Sequence, residues 1–81
     1  MNTKASKEEI IKQAINLHLE GNIQEASKYY QYIIRQNWNN KWVFSNYGVI
    51  LKNLGNLKDA EVFTRKAIQL DPNFAMAHSN L

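Results

Sequence analysis

Apolar residues recur along this chain with a helical period, in four stretches separated by short polar breaks. Ile10, Ala14, Leu17 and Gly21 fall on one stripe, and Ile23, Ala26, Tyr30, Ile33 and Ile34 on a second. Phe44, Tyr47, Gly48, Leu51 and Leu54 make a third, and Leu57, Ala60, Phe63, Thr64, Ala67 and Ile68 a fourth. Spacings of three and four keep each set on one side of a helix, so each stretch predicts an amphipathic helix with one face to bury. The expected helices run over 6–20, 23–36, 41–54 and 57–70, with a fifth over 73–81.

The breaks between stripes carry helix punctuation. Ser6-Lys7-Glu8-Glu9 has capping-box spacing, in which a serine hydroxyl and a glutamate satisfy orphan amides at a helix start. Gly21 and Gly55 suit the left-handed conformation that closes a helix. Asn22 and Asn56, which follow them, are placed to cap the next helix, with Glu25 and Asp59 near its positive end. Pro72 suits the first turn of the fifth helix.

The pattern also repeats. A shift of 34 residues lays Leu17 on Leu51, Gly21 on Gly55, Asn22 on Asn56, Ala26 on Ala60 and Ile34 on Ile68. Ile10 with Phe44, Ala14 with Gly48, and Tyr29 with Phe63 are conservative matches. Residues 1–6 thus read as a tail and helix cap, 7–40 as repeat one, 41–74 as repeat two and 75–81 as the start of a third. A fixed period of this length, two helices per unit, predicts stacked units that bury their faces against neighbours.

Composition narrows the class without choosing a function. The chain has 81 residues, enough for one small domain. Its 44% hydrophobic content is too high for a disordered tail. With no cysteine, disulfides and thiolate metal sites are excluded. Neither a signal-peptide h-region nor a membrane-length apolar run is present, so a cytoplasmic location with no membrane partner is expected. The net charge of +3 comes from lysines spread along the chain and interrupted by acids, with Arg35 and Arg65 the only arginines. Solvated helix faces account for that distribution, and a nucleic-acid partner is disfavoured.

The second repeat carries a resemblance. Phe44-x-x-Tyr47-Gly48-x-x-Leu51, followed by Gly55, Ala60, Ala67 and Pro72, resembles the tetratricopeptide signature at its proper spacings. Thr64 departs from it, standing where an aromatic is usual, with Phe63 beside it. Repeat one is similar more loosely, through Ala14, Leu17, Gly21, Ala26 and Tyr30. Gln13, Ile33 and Trp38 replace the usual Leu, Ala and Pro there. The resemblance implies an all-α fold: a right-handed helix-turn-helix repeat solenoid with two full repeats and the first helix of a third. The Gly/Ala pattern argues against the pentatricopeptide alternative, an RNA reader.

The resemblance further implies a protein-protein interaction scaffold. The first helix of each repeat would line a concave groove that takes a peptide or helix of a partner. Carried over position by position, the groove residues are Ile11, Ile15, His18 and Leu19 in repeat one. Trp42, Ser45, Asn46, Val49 and Lys52 follow in repeat two, and Met76 in the fragment. Ile15, Leu19 and Val49 have packing against the neighbouring repeat as an equal reading. Trp42 suits either a contact residue or the inter-repeat seam. Trp38 is expected to staple its turn, and His18 to be an exposed helix residue. A chaperone-tail clamp does not fit: Asn46 matches one of its asparagines, but Ile11 and Ile15 stand where it holds a lysine and an asparagine, and Met76 and Asn80 where it holds a lysine and an arginine.

Catalysis has little support. His18 and His78 have no companions at metal-ligand spacing, the glycines form no phosphate loop, and no nucleophile has a His and acid at an interpretable distance. No catalytic residue, metal ligand or cofactor is therefore expected. The missing remainder of repeat three suggests a piece of a longer protein. It also suggests an alternative role, a structural module that self-associates through an uncapped face bearing Phe63, Ala67, Leu70, His78 and Leu81.

Overall fold

A computed structural model describes residues 5–81; residues 1–4, most of the expected tail, lie outside the described residues. Five helices follow in order: α1 (Lys7–Leu19), α2 (Ile23–Arg35), α3 (Lys41–Asn53), α4 (Leu57–Leu70) and α5 (Ala75–Asn80). No strand occurs among the described residues. The chain divides into two compact units, one ending at Trp38 and one spanning Asn39–Leu81.

Each helix stops and starts for an identifiable reason. The capping box forms: the Ser6 hydroxyl accepts from the Glu9 amide at 3.1 Å, and the Ser6 amide donates to Glu9 Oε1 at 2.8 Å. Gly21 and Gly55 take φ of 85° and 86°, the left-handed region where a Cβ would be strained. The Asn22 amide then reaches back to the Leu17 carbonyl and the Gly21 amide to that of His18, closing a Schellman turn. Asn56 and Gly55 do the same to Leu51 and Lys52. A third such turn ends α2, where Asn37 at φ 61° stands in for glycine and Trp38 bonds back to Ile33. Asparagine tolerates this conformation better than other side-chain-bearing residues.

Two expectations about caps need correction. Asn22 and Asn56 precede α2 and α4, but neither side chain accepts a capping bond. The preceding left-handed glycine leaves each asparagine at ψ near 70° (71° and 70°), short of the extended angle that aims a cap oxygen at the third amide. Asn56 Nδ2 instead donates to Asp59. Asn40, in extended backbone, caps α3 by accepting from the Val43 amide at 3.1 Å. Pro72 is also not in a helix. Asp71 is extended, as a residue before proline prefers, and the Phe74 amide closes a turn onto its carbonyl, so α5 begins only at Ala75.

In the first unit α1 packs on α2, with Ala14, Ala26, Tyr30 and Ile33 fully buried. In the second, α4 lies across α3 and α5 packs on both. Gly48 and Ala60 mark the close crossing of α3 and α4. A Cβ built on Gly48 would come within 2.5 Å of Thr64 Oγ1 and 3.3 Å of the Ala60 carbonyl oxygen. Thr64, almost wholly buried, is therefore small because the crossing leaves room for nothing larger. The aromatic volume moves one residue along: Phe63 stacks on Phe44 (centroids 6.1 Å apart) and meets the edge of Tyr47 at 5.3 Å.

Candidate functional site

The surfaces available to a partner come from side chains that folding leaves uncovered, and each unit has its own. On α1, Ile11 and Ile15 are half-buried while Leu19 is 81% exposed. His18 is not an open surface residue. Its Nδ1 lies 3.1 Å from the hydroxyl of Tyr30, and the two rings meet edge to face. Tyr30 is fully buried on α2, so its hydroxyl needs a partner, and His18 supplies it from across the turn. Trp38 packs perpendicular to Tyr32, 5.8 Å between centroids, with Lys7 Nζ 6.0 Å from its ring. It holds the end of α2 in place, as a staple.

Burial lowers the pKa of His18 from its ordinary 6.5, because desolvation penalises the imidazolium. The unfolded chain binds that proton more readily, so the contribution to stability is complete above 6.5. It is lost as pH falls from there through the lower folded value. The thermal midpoint is therefore expected to drop as pH falls below 6.5, and His18→Asn to flatten that drop. A midpoint that stays level in the parent chain, or slopes equally in the variant, would count against the burial of this imidazole. Asp71 acts in a separate window. The hydrogen bond from Lys41 holds its carboxyl below the ordinary 3.8, so its contribution persists until pH falls through that lower value.

In the second unit, Trp42, Asn46 and Val49 follow one stripe of α3, with Trp42 43% exposed and the other two half-buried. On α5, Met76 is 39% exposed, and Asn80, one turn later on the same stripe, donates to Ser45 Oγ at 3.1 Å. That bond sets the Met76 stripe beside α3. It also corrects the reading of Ser45, which is fully buried under Asn80 and offers nothing to a ligand. Lys52 is exposed at the far end of the helix.

Trp42 owes its posture to neighbours that sequence reading passed over. Lys41 Nζ pairs with Asp71 Oδ2 at 2.6 Å, tying the first turn of α3 to the end of α4. The same ammonium lies 4.9 Å from the Phe74 ring centroid and 5.9 Å from that of Trp42. Trp42 meets Phe74 edge to face at 4.8 Å. Asp71 Oδ1 accepts from the Asn73 amide, fixing the turn that delivers Phe74. A lysine opening one helix and an aspartate closing the next at a Pro turn were the available signals.

The face expected to self-associate also needs redrawing. Ala67 is completely buried, and Phe63 is half-buried against Phe44 and Tyr47 of its own unit. His78 does not take a packing position. Its ring is exposed, and Nε2 donates to the Pro72 carbonyl at 2.6 Å. Leu70 and Leu81 remain open, 45% and 53% exposed.

Among the described residues, no three His, Cys, Asp or Glu side chains gather as metal ligands, and no helix is long and apolar enough to cross a membrane. No curated protein and no solved structure matches the chain significantly. The family model described as tetratricopeptide repeat matches residues 42–74, the span that holds α3, α4 and the turn to Phe74. Residues 42–74 therefore form a tetratricopeptide repeat.

Proposed function

We propose that this chain is a scaffold that binds a peptide or helix of a partner protein along the first helix of each repeat. Repeats of this family are in general protein-protein interaction modules, without catalysis of their own. Within the second unit, the observation that carries the reading is the exposed Trp42. An indole held in one posture by Phe74 and Lys41 yet 43% open to solvent is a pre-ordered anchor, and ordering costs subtract least from such a contact. Val49 and Met76 extend the apolar surface beside it, and Lys52 ends it with a positive charge. In the first unit, Ile11, Ile15 and Leu19 make the corresponding strip of α1.

Selection of linear peptides from a random library against the purified chain tests this directly. Selected peptides are expected to change the emission of Trp42, and to bind Trp42→Ala at least about tenfold more weakly, measured where the variant keeps its full helical content. Peptides that bind the variant as tightly as the parent, or a library that yields none, would sink the reading.

A further inference from the structure

One outward stripe of α4 takes no part in the packing described above. Leu57, Glu61, Arg65 and Ile68 are spaced by four, four and three residues, so they lie along one side of the helix. Leu57 is 63% exposed and Ile68 half-buried. Glu61 and Arg65 pair with each other at 2.9 Å, with more than half of each side chain in water. The stripe borders a cleft of about 400 Å³ between α4 and the end of α5, floored by Ala60 and rimmed by Leu81.

The order along this stripe is apolar, acidic, basic, apolar. Read backwards it becomes apolar, basic, acidic, apolar, which is its own electrostatic complement. We propose that the occupant of this face is a second copy of the chain, docked through α4 against α4 in antiparallel orientation about a two-fold axis. The axis passes between Glu61 and Arg65. It sets Glu61 opposite Arg65 of the second copy and Leu57 opposite its Ile68, and repeats both contacts by symmetry. The pair inside each helix is solvent-exposed, so exchanging it for two pairs across the interface gives up little. The apolar ends bury surface that each copy alone leaves open. The face so defined keeps Leu81 on its rim and excludes Phe63 and Ala67, which the second unit covers itself.

The charge order makes the test specific. Light scattering over about a hundredfold concentration range is expected to show a mass rising from the 9.4 kDa monomer to twice that. Glu61→Arg and Arg65→Glu, each alone, set like charges against one another across the axis. Each is expected to raise the dissociation constant at least about tenfold with helical content unchanged. An equimolar mixture of the two restores complementarity and is expected to recover the dimer mass as a heterodimer. The double reversal Glu61→Arg/Arg65→Glu keeps the intrahelical pair and is expected to dimerise like the parent, so loss of helix in one single variant would leave this arm intact. Trp42→Ala is expected to leave the mass unchanged, which separates this contact from peptide binding. A monomer at every concentration, a dimer indifferent to the single reversals, or a mixture that stays monomeric would overturn the proposal.

Discussion

Gly48→Ala is expected to destabilise the chain by about 1–3 kcal/mol, although alanine is the better helix former. Two effects oppose each other. Removing a glycine from a helix interior gains about 1 kcal/mol, because glycine loses the most backbone freedom on folding. Against this, the new methyl would stand 2.5 Å from Thr64 Oγ1, about an ångström inside normal contact, and 3.3 Å from the Ala60 carbonyl oxygen. Thr64 is β-branched and only 2% exposed, so rotating its hydroxyl away brings its methyl group toward the same space. The helices must separate instead, and the overlap wins. At roughly 4–8 °C per kcal/mol for a domain of this size, a thermal melt resolves the loss easily. Thr64→Ala in the Gly48→Ala background should recover part of it, as a coupling energy of about 0.5–3 kcal/mol in a double-mutant cycle. A Gly48→Ala chain that melts higher than its parent would mean that α3 and α4 do not approach this closely.

Phe44→Ala is expected to cost more, about 3–5 kcal/mol. The ring is 7% exposed, stacked at 16° on Phe63, and Lys66 Nζ lies 5.9 Å from its centroid. Truncation removes the transfer energy of the ring and leaves a cavity that short helices on either side close only in part. A chain of 81 residues has roughly 4–12 kcal/mol of stability in all, so this one change takes a large share of it. Urea denaturation is the suitable measurement, because the midpoint should fall while the remaining transition stays readable. Phe44→Leu, which keeps most of the volume, should lose much less. Equal losses for the two variants would show that the site is not packed as a core.

Both predictions concern positions that were legible in the sequence, and the reason is local. Phe44, Gly48 and Ala60 lie on helical stripes whose period shows where faces meet, and small residues at recurring places show where they meet closely. The turns at Gly21 and Gly55 were legible because few residues other than glycine sit easily at a positive φ. Asn37 adopts the same conformation but was not marked, since asparagine is common in many other settings. The caps failed at Asn22 and Asn56 because residue type does not report the ψ that the glycine before them imposes. Side chains that meet across a turn or between helices were harder still. Nothing near Ser45 announces that Asn80, thirty-five positions later, will cover it. His18 looked like a surface residue until Tyr30, twelve residues on, placed its hydroxyl in reach. Lys41 and Asp71, thirty apart, read as two ordinary surface charges rather than the brace behind Trp42.

The two indoles are divided between the two compact units, and this gives the molecule a built-in pair of optical reporters. Trp38 belongs to the unit that ends with it, beside Tyr32, and Trp42 belongs to the unit that follows, against Phe74. They stand only four positions apart in sequence, yet each answers to a different set of contacts. Replacing either by phenylalanine leaves emission from a single unit. Denaturation followed in the two single-indole chains then asks whether the units melt as one cooperative body or as neighbours in a linear array, each with its own intrinsic stability and a coupling term between them.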